Sequence, residues 1–387
     1  LALAAYGVAF SLALVIEAPI LMLLDTSVAR AQDRATFAVV RRLTLVLGLS
    51  VTALSFVISL TPLYDLIVVQ VMNIPVDVAV EARPTLQILS FWPLPIAWRR
   101  AHQGVLIRAG HTAIISAATG IRLVALTSGI LGGLLLFPEG GAIVAAVAMD
   151  LSVAIEAAVI TVATQRVLRS EAFRPDPASA AEPQTMGAVW RFHRPLAVTT
   201  TLRQFTRPML SAAIAAALMP RASLAAWPVA WGLATLIMGP AWSLQQLTTA
   251  LVSDHVAYRR VRNFALTLSA LLSLLFALVA FTPVYGWVMG GIYNLSWELQ
   301  ELALPATQLL VVLPLLMGAQ SLLRGILIRT GRTSEVRAAM TLNIGTLAAT
   351  LVLGAALFSP TGTTLAALAA LTGTLAELAW LRSRTRE

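Results

Sequence analysis

The stretch Gly104–Thr112, GVLIRAGHT, returns as Gly325–Thr333, GILIRTGRT, at an offset of 221 residues (325 − 104). Working outward, the same offset carries Pro19 onto Pro240, Pro62 and Tyr64 onto Pro283 and Tyr285, and Pro84 and Pro93 onto Pro305 and Pro314. Residues 1–166 therefore lie on residues 222–387 without a gap. Because prolines, glycines and arginines match along with leucines, shared hydrophobicity does not account for the register. The chain is a tandem duplication.

Of its 387 residues 58% are hydrophobic and 12% charged, against roughly a quarter charged in a soluble domain. The mean hydropathy is +0.83. Runs of about 20 apolar residues cross a bilayer, and they are read at 1–28, 41–63, 84–106, 112–137, 141–165, 188–219, 223–252, 262–290, 303–328, 334–358 and 361–381. An all-α integral membrane protein with eleven helices is expected. The helix at 188–219 precedes the second copy and has no counterpart in the first, so the expected plan is six plus six helices with the first helix absent from this chain. The Pro- and Ala-rich stretch at 169–187 reads as a linker between an N-terminal lobe, 1–168, and a C-terminal lobe, 188–387.

Basic residues collect on alternate connections: Arg30, Arg34, Arg41 and Arg42, then Arg99, Arg100 and Arg108, then Arg166, Arg169, Arg174, Arg191 and Arg194, with the pattern repeating to Arg382. The other connections carry Asp65, Asp77, Glu81, Glu139, Glu298 and Glu301. The arginine side is expected to face the cytoplasm of a bacterial inner membrane, with the C-terminus inside. The net charge of +9 is this topological bias and not a nucleic-acid footprint, since no basic face is interleaved with stacking aromatics. With no cysteine there is no thiolate chemistry, and no histidine has a carboxylate at metal spacing. No cofactor, metal or catalytic residue is expected.

Charges at membrane depth are costly and mark sites. Arg203 and Arg207 lie one turn apart near the middle of the helix at 188–219, either lining a substrate path or paired with a facing carboxylate. Pro208 is expected to kink that helix, as are Pro19, Pro93, Pro95 and Pro240 their own. Glu156 maps onto Glu377, which points to a shared scaffold. Glu17, Arg122 and Asp150 instead map onto Met238, Asn343 and Leu371, so they are candidates for substrate or ion handling, or for pairing with one another. Gln245 and Gln246 form a polar step that could bind substrate or glue helices together. Arg99 and Arg100 are expected to snorkel at the boundary.

The run AYGVAFSL (Ala5–Leu12) followed by Pro19, the SFWPLP segment with Arg100, His102 and Gly104, Arg122, and the pair Arg207–Pro208 together resemble the progressive ankylosis protein family. That family belongs to the multidrug and oligosaccharidyl-lipid exporter (MOP) superfamily, with the multidrug and toxin extrusion (MATE) transporters as relatives. The resemblance implies a MATE-like two-lobe transporter with 1–28, 188–219 and 223–252 beside a central cleft, placing Glu17, Arg203, Arg207, Gln245 and Gln246 around the path. It implies export of a small anion of the citrate, pyrophosphate or nucleotide class. A proton or sodium ion is the expected coupling partner, with Glu17, Asp150 and Glu156 as candidates to carry it, and a monomer in the lipid bilayer is expected. The alternatives are a cation-coupled multidrug exporter and a flippase of a lipid-linked intermediate.

Overall fold

The computed structural model describes residues 2–72, 74, 76–169, 185–358 and 361–385, and the side chains among them except those of residues 2–4, 207, 208, 215, 221 and 358. Much of the expected linker at 169–187 lies outside the described residues. Helices dominate, and among the described residues no strand forms beyond an isolated bridge between Leu218 and Thr361. Nine helical segments among the described residues are long and apolar enough to cross a membrane. Two further long helical stretches occur at Val76–Arg108, which is broken once, and at Met186–Ala216, which is continuous.

By Cα packing the chain divides into two units, Leu1–Thr201 and Leu202–Glu387. The first contains α1 (Ala2–Glu17), α2 (Leu23–Arg30), α3 (Arg34–Leu60), α4 (Val76–Leu89), α5 (Pro93–Arg108), α6 (Thr112–Leu136) and α7 (Gly141–Arg169). The long α8 (Met186–Ala216) passes from the first unit into the second. The second holds α9 (Pro220–Trp242), α10 (Leu244–Leu251), α11 (His255–Phe281), α12 (Trp297–Leu310), α13 (Leu313–Arg329), α14 (Thr333–Phe358) and α15 (Gly362–Arg384).

The duplication is written into local hydrogen bonding. Asp33 caps α3 by accepting from the backbone N–H of Thr36, and its counterpart Asp254 (33 + 221) caps α11 by accepting from Val256 and Ala257. The Tyr64 hydroxyl donates to the Ala79 carbonyl at 2.6 Å, and the Tyr285 hydroxyl donates to the Gln300 carbonyl at 2.6 Å. Each of these tyrosines is followed by a short π-helix, Leu66–Val71 in the first unit and Trp287–Ile292 in the second.

Helix starts differ from the sequence expectation. The spans expected at 41–63 and 262–290 begin at Arg34 and His255, because the aspartate caps start each helix before its apolar run. Residues 34–40 are therefore helical as well, and Arg41 and Arg42 within the same helix are exposed. The expected helix at 84–106 is two helices, with Ser90–Trp92 forming a turn and Pro93 opening α5, where a missing N–H costs nothing. Pro95 falls in the first turn of the same helix, where backbone donors have no intrahelical acceptor to lose. Pro19 lies in a 3₁₀ turn, Ala18–Ile20, between α1 and α2. Pro240 is inside α9, and the break before α10 falls at Ser243. The backbone of α8 is helical through 208, while the side chains of Arg207 and Pro208 lie outside the described residues.

Candidate functional site

Each unit buries one glutamate in a polar cluster. In the first unit Glu156, on α7, is fully buried. Arg99 of α5 forms an ion pair with its Oε2, and Arg122 of α6 lies 3.4 Å from the same oxygen. Gln103 Nε2 donates to Oε1 at 3.3 Å, and the Thr119 hydroxyl donates to it at 3.2 Å. Two side chains from α5 and two from α6 thus meet one carboxylate, which is what keeps a buried charge tolerable. Arg99 and Gln103 reach it together because they are one turn apart on α5.

The second unit repeats the device with its parts exchanged. Glu377, on α15, is fully buried and pairs with Arg324 of α13, whose Nε donates at 2.7 Å. Gln320 Nε2 donates to Glu377 Oε2 at 3.2 Å, and Asn343 Nδ2 donates to it at 2.8 Å. Under the offset Arg99 corresponds to Gln320 and Gln103 to Arg324. Arg122 corresponds to Asn343, so the first cluster holds one more guanidinium than the second.

The expected snorkelling of Arg99 is overturned: only 6% of it is exposed, because its face of α5 meets Glu156 and not the boundary. Arg100 is half-buried, with its Nε enclosed by protein. Arg122 pairs with neither Asp150 nor Glu17 but with Glu156. Glu17, at the end of α1, is buried within electrostatic range of Arg100 and Arg99. Asp150 lies near Tyr6, and its Oδ1 is buried without a hydrogen-bond partner among the described residues. Arg203 is exposed on α8, Gln245 is buried, and Arg203, Gln245 and Gln246 all engage partners. The side chain of Arg207 lies outside the described residues.

Sequence reasoning passed over Gln103, Thr119, Gln320 and Arg324. The signal was present in the offset itself, which sets an arginine against a glutamine twice, four residues apart, with the order reversed. His193, read from the sequence only as a histidine without a carboxylate at metal spacing, is fully buried in the first unit. Its Nδ1 is 2.9 Å from the Thr26 hydroxyl and its Nε2 is 3.1 Å from the Pro19 carbonyl. The 3₁₀ break between α1 and α2 leaves carbonyls without helical partners, and His193 reaches one of them.

The sequence matches no family model and no curated protein. Solved structures do match. The chain is similar to a MOP superfamily transporter from Pyrococcus furiosus whose binding pocket has reversed polarity, suggesting a different function, with a TM-score of 0.75 and 15% identity over 99% of this chain and 88% of that one. This chain has the MATE fold. A Vibrio cholerae MATE transporter in a bent form matches with a TM-score of 0.75 and 16% identity over 99% and 90% of the two chains. An outward-facing multidrug resistance MATE family transporter of the MOP superfamily matches with a TM-score of 0.73 and 15% identity over 99% and 87%. At these identities the likeness establishes the MATE fold, that of a multi-pass membrane protein.

Proposed function

We propose that this chain is a secondary active transporter exporting a small organic or phosphorylated anion, of the citrate, pyrophosphate or nucleotide class, by alternating access between two pseudo-symmetric lobes. The MATE fold along nearly the whole chain supports transport. The observation that carries the anion reading is Arg203, a guanidinium exposed on a long and mostly apolar helix. Arg207 follows one turn later, and two such forks hold a carboxylate or phosphate through paired charge-assisted hydrogen bonds. The resemblance to the progressive ankylosis family supports the same substrate class.

Coupling to a proton or sodium ion is assigned to Asp150 or Glu17 in preference to Glu156. Glu156 is saturated by its arginines, glutamine and threonine, whereas Asp150 keeps an unsatisfied oxygen. Those two carboxylates also favour the second reading, a cation-coupled multidrug exporter. Uptake of labelled citrate, pyrophosphate and ATP into inverted vesicles decides between them. Arg203→Gln and Arg207→Gln should each lower anion transport by roughly tenfold or more at unchanged abundance, with Arg207→Lys recovering only part. Unchanged anion transport in both, or transport of organic cations alone, would reject the anion reading.

A further inference from the structure

We infer that the arginine-rich end of α7 holds one anionic phospholipid, with its phosphate among Arg34, Arg41 and Arg169 and an acyl chain along the α6–α7 surface. A cavity of about 270 Å³ between the start of α3 and the last turns of α7 is lined by these three arginines and Gln165. A second cavity, of about 700 Å³, is lined by Ile114, Ala158, Val159 and Val162 with His111 and Arg166. Ala158, Val162, Gln165 and Arg169 are spaced i, i+4, i+7 and i+11, so they form one stripe of α7. Along that stripe the surface passes from apolar to amide to cation, which is the order of a phospholipid's acyl chain, ester region and phosphate.

Charge points the same way. Arg34, Arg41, Arg166 and Arg169 are exposed, and none forms an ion pair among the described residues. Four like charges gathered at one helix end repel unless an anion joins them. The Arg34 Nε donates to the Leu168 carbonyl, which fixes its guanidinium at the end of α7. Asp33, the acid next to Arg34, is committed to capping α3. Both α3 and α7 are long apolar spans, so their ends lie where lipid headgroups do.

The second copy differs at the start of the corresponding helix. Arg34 corresponds to His255, and Arg41 to Arg262, whose guanidinium donates to Asn263 Oδ1 at 3.1 Å and sits over the Tyr258 ring.

The full chain, purified in mild detergent, is examined by native mass spectrometry after adding dioleoyl phosphatidylglycerol, dioleoyl phosphatidylcholine or inorganic phosphate. Phosphatidylglycerol should be retained in preference to phosphatidylcholine, and Arg41→Gln and Arg169→Gln should each weaken its retention about fivefold. Val162→Trp, which keeps every arginine and fills the apolar groove, should also lower retention and covers the case in which an arginine variant folds poorly. Equal retention of the two lipids, or retention of phosphatidylglycerol unchanged in all three variants, overturns the proposal. Displacement of the lipid by millimolar inorganic phosphate also overturns it, by making the cluster a site for soluble anions.

Discussion

Arg99 and Arg324 bind the buried glutamate of their own repeat from positions four residues out of register. Arg99 corresponds to Gln320, and Arg324 to Gln103, yet both arginines reach the carboxylate that lies at one equivalent position, Glu156 or Glu377. A turn of helix keeps the two positions on one face, so either can supply the cation while the other supplies an amide.

This exchange predicts a rescue. Arg99→Gln alone should destabilise the protein by about 2–3 kcal/mol, since Glu156 then loses its closest cation. Adding Gln103→Arg, which copies the second unit, should restore most of the loss in a thermal melt in detergent. A double variant no more stable than the single one would show that the two units pack this helix differently.

Close helix approach gives a second prediction. A Cβ added at Gly104 would lie 2.5 Å from Ser27 Cβ and 2.8 Å from the Leu24 carbonyl oxygen, and one at Gly325 would lie 2.6 Å from Thr248 Cβ and 2.8 Å from the Gln245 carbonyl oxygen. Alanine at either position should cost about 1–3 kcal/mol through overpacking. Gly120, with nothing within 4 Å, is the control, and Gly120→Ala should leave the melting temperature unchanged or slightly raised. Equal behaviour of all three would contradict the packing.

The cap of α11 predicts a pH dependence. Backbone donation from Ala257, with the Ser253 hydroxyl, holds the Asp254 carboxyl below its usual range. A depressed folded value means that this stabilisation is present above the unfolded aspartate value, about 3.9, and is lost as pH falls through the lower folded one. Asp254→Asn keeps a capping oxygen but no titration. The stability difference between wild type and variant should therefore shrink as melts are run from neutral pH into that acid range, and a constant difference would exclude the linkage.

The sequence by itself determined the duplication and the membrane class, because both rest on local properties. An offset of 221 brings back the same caps, tyrosine latches and close glycines, and apolar length sets what can cross a bilayer. The start of the span expected at 41–63 was misplaced, falling at Arg34, since a cap such as Asp33 lies outside the apolar run that signals the span. Only the tertiary structure decided that Arg99, Arg122, Gln103 and Thr119 converge on Glu156. Those residues lie 34 to 57 positions from it, and their meeting depends on how each helix is rotated about its axis. In a soluble helix the polar face reveals that rotation. Here lipid-facing and core-facing sides are both apolar, as exposed Leu45 and buried Leu43 show within one turn of α3, so hydropathy leaves the rotation open and packing settles it.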